Sequence, residues 1–233
     1  MGATIENWVR DCEACLLNGA KEPPPPMKRT PLPTAPWDLV AMDFGGPFAK
    51  FGGVYVLALI DYYSRFLVMT IVKSTDFRSL RTALDEVFAM FGYPAQMKSD
   101  NATVFRSANY VRYCECRGIE RVYSWPLTPH QNGAAERAMQ LVNKAACSAE
   151  TDKITLAEAI RLTARAHNSS AHRTTGQVPS DVMFGRKLRR ELPLTQSAEF
   201  NLDKEAMRTR DEAEKSKAKE REDKKRRARS PQI

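Results

Sequence analysis

Residues 39–72 read LVAMDFGGPFAKFGGVYVLALIDYYSRFLVMTIV, and this stretch decides the fold of the chain. Three of its segments are rich in Val, Ile, Leu and aromatic residues, and they are separated by GGPFAKFGG and YYS. Apolar segments of this length between turn residues are typical of β-strands joined by hairpins. The stretch therefore predicts an antiparallel meander with strands at 39–44, 54–61 and 65–72.

Helices and strands alternate after the meander. Following Thr75 or Asp76, apolar residues recur at helical spacing until Gly92, which predicts a helix. The remaining predicted elements are a strand at 95–100, a helix at 107–118, a strand at 119–125, and helices at 133–150 and 155–170. This order, β-β-β-α-β-α-β-α, is that of the RNase H-like fold. We therefore expect an α/β protein with a five-stranded mixed sheet flanked by helices.

Changes in composition divide the chain into regions. Seven of the sixteen residues at 21–36 are proline, which makes a stiff and extended linker. Residues 201–233 contain twelve Lys or Arg against eight Asp or Glu, so we expect a solvated helical tail or one that is disordered until bound. The predicted boundaries are a Cys-containing segment 1–22, a linker 23–36, a core 37–150, a helical extension 151–200 and the charged tail 201–233.

Overall charge and cysteine usage narrow the class of protein. The net charge of +8 and a pI near 9.3 fit an anionic partner, most simply nucleic acid, although solubility alone explains a modest basic excess equally well. Five cysteines are not a secreted disulfide framework, and the opening residues have no apolar signal-peptide core. Apolar runs such as 54–60 are far shorter than the roughly 20 residues of a membrane span. We expect a soluble intracellular protein without a membrane partner.

Three carboxylates occupy places that can converge on one edge of the predicted sheet. Asp43 lies inside the first strand, Asp100 comes at the end of the fourth, and Glu136 lies early in the helix after the fifth. Convergent carboxylates are what two divalent cations need to catalyse phosphoryl transfer. Each has an ordinary alternative, a turn residue for Asp100 and a solvated helix residue for Glu136. Asp43 interrupts an apolar strand, where an unpaired buried charge is costly, whereas Asp61 is interpreted as the cap of a tight turn.

Several segments resemble known acidic motifs. MDFGGP (42–47), SDNATVF (99–105) and PLTPHQNGAAER (126–137) resemble the three acidic motifs of retroviral-type integrases. Asp100 and Glu136 are separated by 35 residues, as in the D,D(35)E pattern of that family. The segment 167–189, HNSSAHRTTGQVPSDVMFGRKLR, is similar to the one that follows the catalytic core in Ty3/gypsy retrotransposon integrases.

The resemblance implies an activity and its cofactor. By resemblance, Asp43, Asp100 and Glu136 bind two Mg²⁺ or Mn²⁺ ions. The family's reaction implies two steps, in which water attacks near the 3′ ends of the element's DNA and the freed 3′-OH then attacks target DNA. It further implies DNA and other copies of the chain as partners, and together with the basic tail it implies action in the nucleus.

The resemblance also suggests DNA contacts. Asn132 and Gly133 would shape the loop that enters the Glu136 helix, close to the DNA ends. Further along the helix, the spacing puts three polar residues on the same face as Glu136, where they contact phosphates or are ordinary exposed residues. These residues are Gln140, Asn143 and Lys144.

The sequence departs from the family at three places. Ala102 stands where the family usually has Gly, which predicts strain if that position requires φ > 0. Thr128 replaces an aromatic residue. Cys12 and Cys15 match only the second half of the family's zinc finger, and because tetrahedral Zn²⁺ takes four ligands we interpret them as a remnant without Zn²⁺. Both ends resemble those of an incomplete copy, without the family's finger and C-terminal barrel.

Two functions from different classes remain open at this point. The acid triad favours an Mg²⁺-dependent polynucleotidyl transferase, while the departures favour a weakened or domesticated integrase that binds nucleic acid without catalysis. An RNase H-type nuclease fits the acids but not the context of NGAAER (132–137) and FGRKLR (184–189). The basic run 224–229 suits phosphate contact, nuclear import or a solvated helix equally.

Overall fold

Five strands form one mixed sheet in the computed structural model, which describes residues 30–123, 133–189 and 202–225. The order across the sheet is β3-β2-β1-β4-β5. The β1/β2 and β2/β3 pairs are antiparallel, and the β1/β4 and β4/β5 pairs are parallel. The strands are β1 Leu39–Phe48, β2 Val54–Asp61, β3 Leu67–Val72, β4 Gln96–Ser99 and β5 Glu120–Tyr123. The predicted meander followed by crossovers is therefore confirmed.

The predicted helices are present, and three short helices that the sequence did not predict accompany them, at 49–51, 103–106 and 179–184. The helices are α1 Phe77–Phe91, α2 Thr103–Arg106, α3 Ala108–Glu115, α4 Gly133–Asp152, α5 Leu156–Ser169, α6 Pro179–Phe184 and α7 Lys204–Lys225, with a short 3-10 helix Ala49–Phe51. Asp76 caps α1 by accepting a hydrogen bond from the Ser79 amide at 2.8 Å, and Thr155 caps α5. The predicted helix 107–118 is shorter, and α2 precedes it because Ser107 adopts an extended conformation between the two.

Helices cover both faces of the sheet. Side chains alternate along a strand, so Val40 and Met42 of β1 face one core and Leu39 and Ala41 face the other. The first core receives α1 and α3, and the second receives α4 and α5. Both faces of the central strands are thus buried, which explains why β2 reads as an unbroken apolar run.

A close approach between α4 and the sheet depends on small residues. The buried face of α4 consists mainly of alanines, among them Ala135, Ala138 and Ala145. On the facing strand, a Cβ atom at Gly45 would lie 2.9 Å from Cγ1 of Val142. Because real Cβ atoms do not come so close, glycine at position 45 lets α4 lie directly against β1.

The charged tail differs from its prediction. Residues 29–216 form one compact unit, which includes the beginning of α7. Met207 is 1% exposed and packs with Tyr63 and Val182, and Asp211 is fully buried. The helical part of the prediction is confirmed, but the expectation that the tail is solvated throughout was wrong for this first part of α7. Two buried side chains in an otherwise polar helix leave little periodic signal in the sequence, so their burial was not predicted.

The described residues of the second unit, Lys217–Lys225, are helical, and Lys219 and Asp223 form an ion pair there at 4.0 Å. Within the described ranges, no helix is long and apolar enough to cross a membrane. The predictions for Cys12, Cys15, Thr128 and Asn132 lie outside the described residues, and the five predicted region boundaries stay predictions.

Candidate active site

Asp43 lies in the middle of the sheet and faces α4. Ala41, two residues earlier on β1, belongs to the core that contains α4, so the alternation of the strand directs Asp43 to the same side. Its Oδ1 accepts a hydrogen bond from the Phe44 amide at 2.8 Å. The side chain is half-buried, so that its carboxylate is partly removed from water within an otherwise apolar strand.

Asp100 follows β4 and is exposed. Its Oδ1 accepts the amide of Ala102 at 3.0 Å, which holds the turn that leads into α2. Ala102 itself has a φ of −57°, so the position does not require the left-handed conformation and alanine fits without strain. Asp100 can therefore hold this turn and also lie beside Asp43.

Asp43 and Asp100 line the same open cleft, which has a volume of about 770 Å³. The cleft continues between β2 and the beginning of α1, where Tyr55 and Phe77 form part of its wall. Phe44 also lines it and stacks on Phe105, with ring centroids 5.5 Å apart. The cleft therefore combines three carboxylates, those of Asp43, Asp100 and the α1 cap Asp76, with apolar side chains.

Glu136 lies in the first turn of α4 and is half-buried. Burial, together with the negative charges of Asp100 and Glu136, raises the pKa of Asp43 to about 6 against the hydrogen bond from Phe44. The charges of Asp100 and Glu136 therefore both act on Asp43, as expected for residues that converge.

A divalent cation suits this arrangement electrostatically. The mutual repulsion that raises the pKa of Asp43 is the kind of interaction that a bound cation relieves, and carboxylate oxygens are the ligands that Mg²⁺ takes. Within the part of the chain that the structure describes, however, no three His, Cys, Asp or Glu side chains lie close enough to hold an ion between them. Asp43 and Asp100 share the cleft, and Glu136 would have to approach them.

The predicted DNA-contacting residues on α4 are exposed. Gln140, Asn143 and Lys144 lie outside the alanine face of the helix that packs on the sheet. Gly133 begins α4, and a Cβ atom there would meet nothing within 4 Å. Their contacts with DNA stay predictions, as does the metal-binding role of the three acids.

Asp61 has a structural role, as its place at the end of β2 predicts. It is fully buried and accepts hydrogen bonds from the Trp37 amide at 3.0 Å, the Ser64 amide at 2.8 Å and the Ser64 hydroxyl at 2.5 Å. Burial raises the pKa of Asp61 although these hydrogen bonds oppose it. The Asp61 carboxylate is thus engaged in hydrogen bonds that hold the tight turn between β2 and β3.

Sequence reasoning missed a cationic group beside the site. Lys98 of β4 and Arg65 of the β2–β3 turn are each 5% exposed, and both lie over the ring of Tyr62, at 5.5 and 5.6 Å from its centroid. The only signal in the sequence was a basic residue inside or directly beside a predicted strand, where a charge should not be buried unpaired.

The fold and the acid positions together define a class. Residues 33–129 match the family model of the integrase core domain, a range that includes Asp43 and Asp100 and ends before Glu136. This part of the chain is therefore similar to an integrase core domain.

Its relatives in the sequence comparison are much longer proteins. The chain is 28% identical over 195 residues to the uncharacterized protein K02A2.6 of Caenorhabditis elegans, a match that covers 83% of this chain and 15% of that protein. It is 25% identical over 185 residues to the transposon Tf2-3 polyprotein of Schizosaccharomyces pombe, with coverage of 77% and 14%. The chain thus spans about one seventh of the length of these relatives.

Solved structures with the same fold are retroviral integrases. The integrase of the simian T-cell lymphotropic virus intasome, solved with the PP2A regulatory subunit B56 gamma, superposes with a TM-score of 0.61 at 16% identity and covers 85% of this chain and 71% of that one. The HTLV-2 integrase catalytic core domain in complex with magnesium gives a TM-score of 0.54 at 15% identity, with coverage of 64% and 98%. At these identities the likeness concerns the fold, which is the RNase H-like fold that the element order predicts.

Proposed function

We propose that the chain is the catalytic core of a retroelement integrase, a polynucleotidyl transferase that processes the 3′ ends of the element's DNA and joins them to target DNA. One observation carries the proposal: Asp43 shares a cleft with Asp100 and is under the electrostatic influence of Glu136, in a chain of which residues 33–129 are similar to an integrase core domain. Nothing in simple DNA binding calls for carboxylates that repel phosphate at this position.

Asp43, Asp100 and Glu136 would hold Mg²⁺ or Mn²⁺. A divalent ion bound there would activate the attacking oxygen and neutralise the charge that develops on the leaving oxygen in phosphoryl transfer. Asp43 gives a ligand from the rigid centre of the sheet, while Asp100 gives one from the turn after β4. Glu136, on the first turn of α4, supplies the third carboxylate from the opposite layer, and we expect it to move toward the other two when the cation is present.

The remaining partners follow from the same proposal. Gln140, Asn143 and Lys144 are available for phosphate contacts on the exposed face of α4. Similar solved structures are described as an intasome and as dimeric and trimeric core domains. We therefore propose that the chain forms a homo-oligomer on DNA. The basic segment 224–229, of which Lys224 and Lys225 are described, remains a candidate for phosphate contact or nuclear import.

A joining assay tests the proposal. The full chain, supplied with a labelled oligonucleotide duplex and supercoiled plasmid, is expected to nick and join DNA in the presence of Mn²⁺ or Mg²⁺, and Asp100→Asn is expected to abolish this. Asp152→Asn provides a matched control, since Asp152 is exposed at the other end of α4. Joining that persists in Asp100→Asn would contradict the assignment.

A second candidate is a protein that binds nucleic acid without catalysis. It is favoured by the separation of the acids, because no three of the described acidic, His or Cys side chains enclose an ion site. DNA binding by the parent chain without joining under either ion, and unchanged by Asp100→Asn, would support this alternative.

A further inference from the structure

A buried ion pair joins the C-terminal helix to the turn between β2 and β3. Nη2 of Arg65 lies 2.6 Å from Oδ1 of Asp211, and the two side chains are 6% and 0% exposed. One helical turn later, Nζ of Lys215 lies 2.6 Å from Oδ2 of the same carboxylate. Charges removed from water in this way contribute little net stability compared with apolar residues of similar size. Breaking such a pair leaves an uncompensated buried charge, so the contact disfavours other relative positions of α7 and the turn.

Arg65 connects this pair to several elements of the core. Its backbone is held in the left-handed region, with φ of 67°, and its carbonyl oxygen lies 2.9 Å from Nε2 of His167 in α5. Its guanidinium lies 5.6 Å from the centre of the Tyr62 ring. Arg65 therefore links Asp211 to the turn, to α5 and to Tyr62.

A second route leads from α7 to the strand that carries Asp100. Nζ of Lys215 donates to the carbonyl oxygen of Thr30 at 3.0 Å, and Nζ of Lys98 donates to the hydroxyl of the same threonine at 3.0 Å. Lys98 also lies 5.5 Å from the centre of the Tyr62 ring. Since Lys98 precedes Asp100 by two residues, displacement of α7 would reach the end of β4.

The beginning of α4 packs with Tyr62, because Ala135 and Ala138 lie in the same buried core cluster as that ring. Burial raises the pKa of Tyr62 to about 12, and the negative charge of Glu136 adds to the effect. Burial lowers the pKa of His172 to about 3, with Arg65, His167 and Arg137 acting in the same direction. Glu136 and its chain neighbour Arg137 are therefore within electrostatic range of the residues that Arg65 and Asp211 organise.

We propose that Asp211 is a positioning residue for the candidate active site: its ion pair with Arg65 fixes the β2–β3 turn and Tyr62 next to Glu136, so that the beginning of α7 belongs to the catalytic unit. Asp211, Arg65 and Tyr62 are absent from the lining of the acid cleft, so they act through other residues. The catalytic part of this inference rests on the proposed function. The positional part rests on the described contacts alone.

Hydrogen exchange on the full chain tests the positional part without any activity. In Asp211→Asn, we expect faster exchange at the amides 137–142 of α4 and at 61–66, in addition to 204–216. The control Glu205→Gln, exposed on the same helix, is expected to exchange as the parent does. Faster exchange confined to 204–216 would overturn the inference.

An apolar replacement separates the ion pair from simple docking of the helix. The variant Arg65→Met, Asp211→Leu, Lys215→Met replaces the three charges with side chains of similar size, and it is expected to protect 204–216 while 137–142 still exchanges faster. Restored protection at both places would overturn the role of the ion pair. This variant also serves if Asp211→Asn does not fold.

The rate of DNA joining tests the catalytic part of the proposal. At temperatures where each variant is folded, Asp211→Asn and the apolar variant are expected to lose about tenfold to 100-fold in the joining rate at saturating DNA, as when residues that orient metal ligands are replaced. A rate equal to that of the parent in both would overturn the catalytic part. If the parent joins no DNA, the proposed function fails, and hydrogen exchange still decides the position of α4.

Discussion

Asp43 is expected to make the ion-free protein less stable at neutral pH, and Asp43→Asn is therefore expected to stabilise it. Burial, with the charges of Asp100 and Glu136, raises the pKa of Asp43 from 3.8 to about 6 in the folded chain. A raised acid pKa means that the folded state binds the proton more tightly than the unfolded state does. Ionisation of Asp43 therefore opposes folding.

The magnitude follows from the size of the shift. About two pH units correspond to roughly 3 kcal/mol, and because the side chain is only half-buried, screening by solvent reduces the effect to roughly 1–2 kcal/mol. The penalty is negligible well below pH 4, where both states are protonated, grows between about pH 3.8 and pH 6, and is constant above. Asparagine keeps the acceptor for the Phe44 amide but never ionises.

Urea unfolding of the parent and Asp43→Asn, without divalent ions, measures this difference. We expect nearly equal stability at about pH 3 and an advantage of roughly 1–2 kcal/mol for Asp43→Asn at pH 7.5. If the proposed function holds, Mg²⁺ stabilises the parent by binding the folded state, and stabilises Asp43→Asn less. A variant that is less stable than the parent at pH 7.5, or a difference independent of pH, would refute the reasoning.

Asp76 provides a control of opposite sign. Hydrogen bonds from Ser74 and from the Ser79 amide lower the pKa of this exposed cap of α1. Its carboxylate therefore stabilises the fold above the unfolded pKa, and the contribution is lost as the pH falls. Asp76→Asn is expected to be less stable than the parent at pH 7.5.

Three further substitutions test the packing around the site. Asp61→Ala leaves the buried amides of Trp37 and Ser64 without their acceptor and should lower the free energy of unfolding by roughly 3 kcal/mol; a loss below about 1 kcal/mol in urea unfolding would contradict its structural role. Gly45→Ala brings a Cβ atom to 2.9 Å from Val142 and should cost roughly 1–3 kcal/mol; the double variant with Val142→Ala should recover part of it, and no recovery would argue against this contact. Ala102→Gly should destabilise by about 0.5–1 kcal/mol, because φ at this position is negative; a stabilised variant, measured by thermal unfolding, would contradict that geometry.

Strand boundaries show how far local sequence carries the fold. The segment 54–61 was predicted at the bounds that β2 has, because a central strand buried on both faces is an unbroken apolar run between turn residues. The predicted third strand began two residues too early, at Arg65, since the turn held by Asp61 and Ser64 extends further than its polarity indicates. The type of each element was therefore predictable from its local sequence. The length of the turn was not, because it depends on the buried carboxylate of Asp61.

The sequence by itself determined the order of the elements, the chain positions of Asp43, Asp100 and Glu136, and the motifs that resemble an integrase. The order of the elements follows from periodicity along the chain, and the motifs are identified by their resemblance to a known family. Only the tertiary structure decided that Asp43 faces α4 and shares a cleft with Asp100, and that Asp211 is buried against Arg65. The physical reason is distance in sequence: these contacts join residues separated by tens to more than a hundred positions, and no local pattern encodes the burial or the field that each residue meets.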